Sequence, residues 1–264
     1  MSRPVQRENE YDDEFVARLE LIWGEGFLSP GGAGEVSAIL EGTSLHGADV
    51  LDIGCGTGGV DILLVQEHGA KSVLGIDVEQ PLIDRATDRA KEKGLSDSLE
   101  FRLIEPGPLS FDEASFDVVF SKDAIIQIPD KPSLFADILR ILRLGGKFIA
   151  SDWLASQRQS AGALQEFLNA VEFTATLETP ETSVKLLESC GFVDVQVKDR
   201  TDWLIEETRR ENELVLGAFK ERAVELIGID RYESWTKIRG SLLTALVARE
   251  LRPSHLMATK PNLA

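Results

Sequence analysis

A chain of 264 residues with 43% hydrophobic and 28% charged residues can bury one sizeable core with an attached cap, and is too apolar for disorder. Its formal charge of −17 argues against a nucleic-acid partner, which needs clustered Lys and Arg, and no apolar run reaches the roughly 20 residues that cross a bilayer. Cys55 and Cys190 make neither a disulfide framework nor a zinc pattern, and residues 1–13 lack the apolar run of a secretory signal, so a cytoplasmic address and no metal are expected.

Residues 49–53 (Asp-Val-Leu-Asp-Ile) read as a buried strand running into Gly54-Cys55-Gly56-Thr57-Gly58-Gly59, with an amphipathic helix over about 60–68 behind it. A second strand, 72–76, ends at Asp77; a helix over 80–93 follows and stops at Gly94. Strands are expected at 99–104 and 116–121, a periodic helix at 133–144 closed by Gly145-Gly146, and a fifth strand at 147–151. Short apolar strands alternating with helices pair in parallel through right-handed crossovers, which predicts an α/β, Rossmann-like doubly wound sheet. After Asp152 the pattern changes: a helix over 161–173, a helix start at Thr179-Pro180-Glu181, a strand over 191–198, a long helix over 206–227 and a last strand over 256–259. The expected division is an N-terminal lid arm over 1–45 and one domain over 46–264, with a helical insertion about 154–180 and a cap about 203–250.

The glycine-rich turn carries the chemistry. At the carboxyl end of the first strand it lies at the topological switch point, where a ligand can rest on bare backbone. A dinucleotide fingerprint is the alternative. Spacing as Gly54-x-Gly56-x-Gly58, Asp52 placed to meet an ammonium group, and Asp77 placed to take both ribose hydroxyls favour S-adenosylmethionine. His46, His68 and His255 have no ligand spacing and read as surface residues.

The stretch from Val50 to Gly59, with Asp77, Glu105 and Phe116-Asp117-Val118-Val119, resembles the class I S-adenosylmethionine-dependent methyltransferases. Tyr11-Asp12-Asp13-Glu14, Trp23-Gly24-Glu25-Gly26-Phe27-Leu28-Ser29-Pro30-Gly31-Gly32, Ser121-Lys122-Asp123-Ala124-Ile125, Ser151-Asp152-Trp153 and Asp202-Trp203 resemble the phosphoethanolamine N-methyltransferases more narrowly. The resemblance implies that Ser29, Asp52, Gly54, Gly56, Gly58, Asp77, Glu105 and Ser121 hold the cofactor. It implies that Tyr11, Asp123, Gln127 and Trp153 line the acceptor pocket, with Tyr11 as a lid residue.

The chain also departs from that family. Gln127 stands where the family carries a histidine, and an amide cannot take a proton. The family's phosphate-binding arginine and tyrosine align near Phe173 and Ala175 and its C-terminal lysine near Ile238, yet residues 161–182 hold no Arg or Lys. Pro106, after Glu105, has no N–H to offer an adenine ring. These features predict methyl transfer to a small non-phosphorylated acceptor, an amine first. A thioether, a carbon acceptor such as a quinone or sterol precursor, and a non-catalytic sensor are the alternatives. Trp153, beside the cleft, reads equally as a cation-binding face and as core.

Overall fold

The computed structural model describes residues 11–157, 162–171 and 175–262. Its frame is a seven-stranded sheet in the order β3-β2-β1-β4-β5-β7-β6. The strands are β1 Asp49–Ile53, β2 Ser72–Asp77, β3 Leu99–Leu103, β4 Phe116–Lys122, β5 Leu142–Ala155, β6 Val193–Asp199 and β7 Leu251–Thr259. Pairings among β1 to β5 are parallel, and β7 runs antiparallel between β5 and β6. Strand order therefore reverses between β1 and β4, which puts the glycine turn after β1 at the switch point.

Alternation along the central strands assigns their faces. Leu51, Ile53 and Val119 pack with Leu134, Phe135 and Ile138 of α5 (Lys131–Ile141) and Leu187 of α7 (Pro180–Cys190). Val50, Val118 and Phe120 face the other way, onto α2 (Gly32–Ile39), α3 (Gly59–Gln66) and Ala90 of α4 (Gln80–Glu92). Fully buried Phe120, Phe135 and Phe148 each contribute about 1.5–3 kcal/mol by leaving water.

The cap is built from α6 (Gly162–Ala170), α8 (Thr201–Leu216), α9 (Lys220–Ile227) and α10 (Ile229–Val247). Leu21 and Ile22 of the arm helix α1 (Asp13–Trp23) pack against its Val215, Ala223, Tyr232 and Trp235. A buried ion pair ties the two: Arg239 Nη2 lies 2.7 Å from Glu211 Oε2, and Glu211 Oε1 accepts from Trp23 Nε1 at 2.8 Å.

Several boundaries differ from the sequence expectation. The long helix over 206–227 is two helices, broken at Gly217, whose N–H bonds Glu213 and Leu214. Helix α5 stops at Ile141 because Leu142 turns extended and opens β5, which spans Leu142–Ala155 and not 147–151. Strand β7 begins at Leu251, ahead of the expected 256, and carries Pro253 within it. The helix expected over 161–173 is Gly162–Ala170, and Phe173 lies outside the described residues.

Candidate active site

The turn from Gly54 to Gly58 is held from below by β2: Gly54 and Cys55 donate their N–H groups to the Ile76 carbonyl at 2.8 and 3.1 Å. Gly54 has φ +77°, and a Cβ there would lie 2.2 Å from Ala124 Cβ. Its missing side chain thus serves the close approach of the β4 end as well as the turn. Asp77, at the end of β2, accepts from Gly56 N at 2.9 Å on one oxygen and from Val78 N and Glu79 N at 2.7 and 3.1 Å on the other. Its carboxylate is fixed by backbone and keeps acceptor capacity for ribose hydroxyls.

Beneath the turn lies a carboxyl pair that sequence reading half found. Asp52 and Asp61 of α3 are both buried, and burial drives the Asp52 carboxyl well above its ordinary range, with the charges of Asp61 and Asp77 adding to the effect. Asp61 is pushed up to about 7, again chiefly by burial. Asp52 and Asp61 share a hydrogen bond, and no other side chain among the described residues donates to Asp52 Oδ1 or to either Asp61 oxygen. A buried carboxyl pair with so few donors is costly unless a cation reaches it, so this floor fits the ammonium end of S-adenosylmethionine. Asp61 was missed because nothing in a helix sequence says which face meets a neighbouring strand.

The arm crosses directly over this turn. Gly59 N donates to the Gly26 carbonyl at 3.2 Å, and a Cβ on Gly59 would lie 2.5 Å from that oxygen. Gly59, ambiguous in the sequence, is thus explained by the arm. Arg89 of α4 donates to the Thr57 carbonyl and, at 2.9 Å, to Glu20 Oε1 of α1, which also accepts from Gly26 N at 2.9 Å.

On the acceptor side, Asp123 follows β4 with φ +57°, a strained value for a non-glycine residue. It accepts from Ser151 Oγ at 2.8 Å and Lys122 Nζ at 3.1 Å. Lys122 is buried and also donates to Ser29 Oγ at 2.5 Å and the Pro30 carbonyl at 2.9 Å. Gln127, in a short 3-10 turn over Ile125–Gln127, donates from Nε2 to Tyr11 Oη at 3.2 Å. Two residues distant in sequence thus meet across the cleft.

Other expected residues are placed differently. Ser121 is fully buried and its hydroxyl donates to the Ile53 carbonyl at 2.8 Å, joining β4 to β1. A Cβ on Gly58 would meet Ala86 Cβ and Phe101 Cζ, both at 3.0 Å, so close packing against α4 and β3 also asks for glycine there. Glu105 is exposed beyond β3. Trp153 is half-buried, stacks on Phe167 at 5.8 Å and joins the cap core, yet it also lines a small cavity with Asp123, Asp152, Arg200 and Trp203. His255 is not a surface residue: it is buried, its Nε2 2.6 Å from Glu35 Oε1. Glu35 is held again by Arg200, whose Nε and Nη2 lie at 3.1 and 2.5 Å. Val78 and Leu103, large apolar residues left exposed at the carboxyl ends of β2 and β3, also escaped sequence reading.

A family model described as a methyltransferase domain matches residues 45–213. The chain is 34% identical over 203 residues to phosphoethanolamine N-methyltransferase 1 of Arabidopsis thaliana, covering 76% of this chain but only 40% of that protein. It is 29% identical over 199 residues to the phosphoethanolamine N-methyltransferase of Plasmodium falciparum, covering 74% and 73%. The solved structure of Haemonchus contortus phosphoethanolamine N-methyltransferase 2, in complex with phosphomonomethylethanolamine and S-adenosylhomocysteine, superposes with a TM-score of 0.87 at 26% identity, over 96% of this chain and 60% of that one. With the strand order, the glycine turn and Asp77 in place, the chain belongs to the methyltransferase-domain family, the class I enzymes that use S-adenosylmethionine.

Proposed function

We propose that this enzyme N-methylates a small amine that carries no phosphate. The observation that carries the reading is the Tyr11–Gln127 hydrogen bond, which joins the arm to the short turn that follows Asp123. S-adenosylmethionine supplies an electrophilic methyl group on a sulfonium centre. The floor formed by Asp52 and Asp61 suits its ammonium end, Lys122 with Ser29 its carboxylate, Asp77 its ribose, and Val78 and Leu103 the faces of its adenine. Glu105 would take the adenine amino group.

In-line displacement asks the protein to align a lone pair and exclude water. Asp123 attracts and orients a cationic acceptor, and Gln127 with Tyr11 fixes the amine once it has lost its proton. Gln127 cannot act as a base, so the proton leaves to solvent. The same lack of a base beside Tyr11 suits a thioether acceptor, the second reading.

The relatives above are named for phosphoethanolamine. Here the cation lining the acceptor-side cavity, Arg200, is already engaged twice by Glu35, and residues 161–182 carry no Lys or Arg. Phosphoethanolamine is therefore expected to be turned over at least about tenfold less efficiently than the best unphosphorylated amine, the loss of roughly one charge-assisted contact. A radiolabelled methyl-transfer screen over ethanolamine, phosphoethanolamine, small amino acids and thioethers measures this. Comparable kcat/KM for phosphoethanolamine would overturn the unphosphorylated reading.

Gln127→His is expected to keep fold and S-adenosylmethionine affinity without raising kcat, while adding a pH dependence near about 6.5, the ordinary histidine value. Tyr11→Phe is expected to lower kcat by removing the hydroxyl that Gln127 holds. Initial rates across about pH 6–9 test both, since that window spans histidine titration. A markedly faster Gln127→His enzyme would mean that a missing base limits the parent.

A further inference from the structure

The turn that presents Gln127 is pinned from behind by charged groups that no step above uses. Asp152, in β5, is buried beside Asp123 and accepts the Ile126 N–H at 3.0 Å on Oδ1. It also accepts the N–H of Trp153. Lys131, the first residue of α5, is equally buried, and its ammonium donates to the carbonyls of Ile125 at 2.9 Å and Ile128 at 3.1 Å. The Ile126 carbonyl accepts from Thr176 N at 2.8 Å. The bonds from Asp152 to Ile126, from Lys131 to Ile125 and from Thr176 to Ile126 reach the turn from outside it, and the turn carries Gln127, which bonds Tyr11.

Burying a lysine and a carboxylate under a three-residue turn is an expensive way to gain stability, because an apolar pair of similar volume often serves as well. It is an effective way to fix backbone position, because each ion locks a peptide group in place. We propose that Asp152 and Lys131 are positioning residues of the acceptor site, which together hold the turn that sets Gln127 against Tyr11. Neither touches the acceptor; both act through the turn. The inference rests on the reading of Tyr11 and Gln127 as acceptor residues.

Lys131 from α5 favours the ionised form of Asp152 and Asp123 from the β4 end opposes it; Glu35 of α2, Arg200 ahead of α8 and His255 of β7, bonded to one another, line the same cavity, and Glu178, ahead of α7, faces Lys131. Burial pushes Asp152 up to about 7. The Asp152 anion, whose charge Lys131 favours from across the turn, therefore gains population as pH rises through that value, and its hold on the Ile126 N–H strengthens in the same direction.

The test uses the full chain and whichever acceptor the screen identifies, so failure of the amine reading shows in the wild-type enzyme and failure of this inference only in the variants. Lys131→Met is expected to lower kcat by about tenfold or more, because misplacing an orienting group by an ångström costs up to about a hundredfold. The S-adenosylmethionine Kd from calorimetry should stay within about twofold, a change worth only ~0.4 kcal/mol. Hydrogen exchange should quicken in residues 124–128 and not in the glycine turn. Deprotonation of the acceptor amine raises the rate with pH in both enzymes alike; beyond that shared rise, wild-type kcat should show a step near about 7 that Asp152→Asn, which keeps the acceptor oxygen but cannot ionise, loses. If a lone charge left by either change prevents folding, the double variant Asp152→Asn/Lys131→Met removes both ions and should fold with the same loss of kcat. Variants with wild-type kcat per folded molecule, a Kd that weakens in step with kcat, or wild-type and Asp152→Asn pH profiles of the same shape would each overturn the proposal.

Discussion

Gly56→Val is expected to abolish S-adenosylmethionine binding, with affinity falling at least about a hundredfold, or roughly 2.7 kcal/mol. Gly56 has φ +54°, a region that a β-branched residue occupies only under strain, and a Cβ there would stand 3.1 Å from Leu28 Cδ1 of the arm. The backbone must rotate to relieve both, and that rotation withdraws the Gly56 N–H from Asp77, the carboxylate proposed to meet the ribose, leaving it held by Val78 and Glu79 alone. Gly34→Ala is the control: Gly34 is exposed in α2 and a Cβ there meets nothing within 4 Å. Calorimetry on both variants decides; unchanged affinity in Gly56→Val would remove the cofactor from this turn.

The second large effect is on stability. Arg239→Met should cost about 3–5 kcal/mol, the range for breaking a buried ion pair from one side. Arg239 donates to Glu211 Oε2 and, from Nε at 2.8 Å, to Asn212 Oδ1, and the side chains of Arg239 and Glu211 are only 6% and 1% exposed. Removing the guanidinium leaves the Glu211 carboxylate in a site where burial already pushes its pKa up against the pull of Arg239. Because Glu211 also holds Trp23, the loosened end should be the junction of α1 with the cap. Urea unfolding measures the loss, and a midpoint within error of wild type would show that water reaches the pair.

Sheet, cofactor turn and the first four strands were legible because short apolar runs ending in glycine or aspartate leave few alternatives. The boundary of α5 with β5 was not, since Leu142 and Leu144 fit either period, and only the pairing of β5 with β4 decides between them. Tyr11 and Gln127 could be named from resemblance, but their contact depends on how α1 folds back over the cleft. Lys122, Asp61 and the Glu35–His255–Arg200 cluster were unreadable for a common reason. Each joins groups far apart in sequence, and a charged residue in a single chain reads as solvated until a partner is seen. Ser121 shows the converse: a hydroxyl inside a recognisable motif also bonds the adjacent strand, which the motif alone does not say.

The antiparallel strand β7 lies between β5 and β6, and among the described residues β6 pairs with no other strand. During synthesis β6 emerges some fifty residues ahead of the partner that will join it to the sheet. Three cap helices, α8, α9 and α10, are made in that interval, so they can form while the sheet edge at β5 is still open. Contacts of such long sequence separation form late and slowly. The edge of β5 that β7 covers carries Ser151, Asp152 and Trp153, so these residues gain their β7 neighbours only after residues 251–259 have been made.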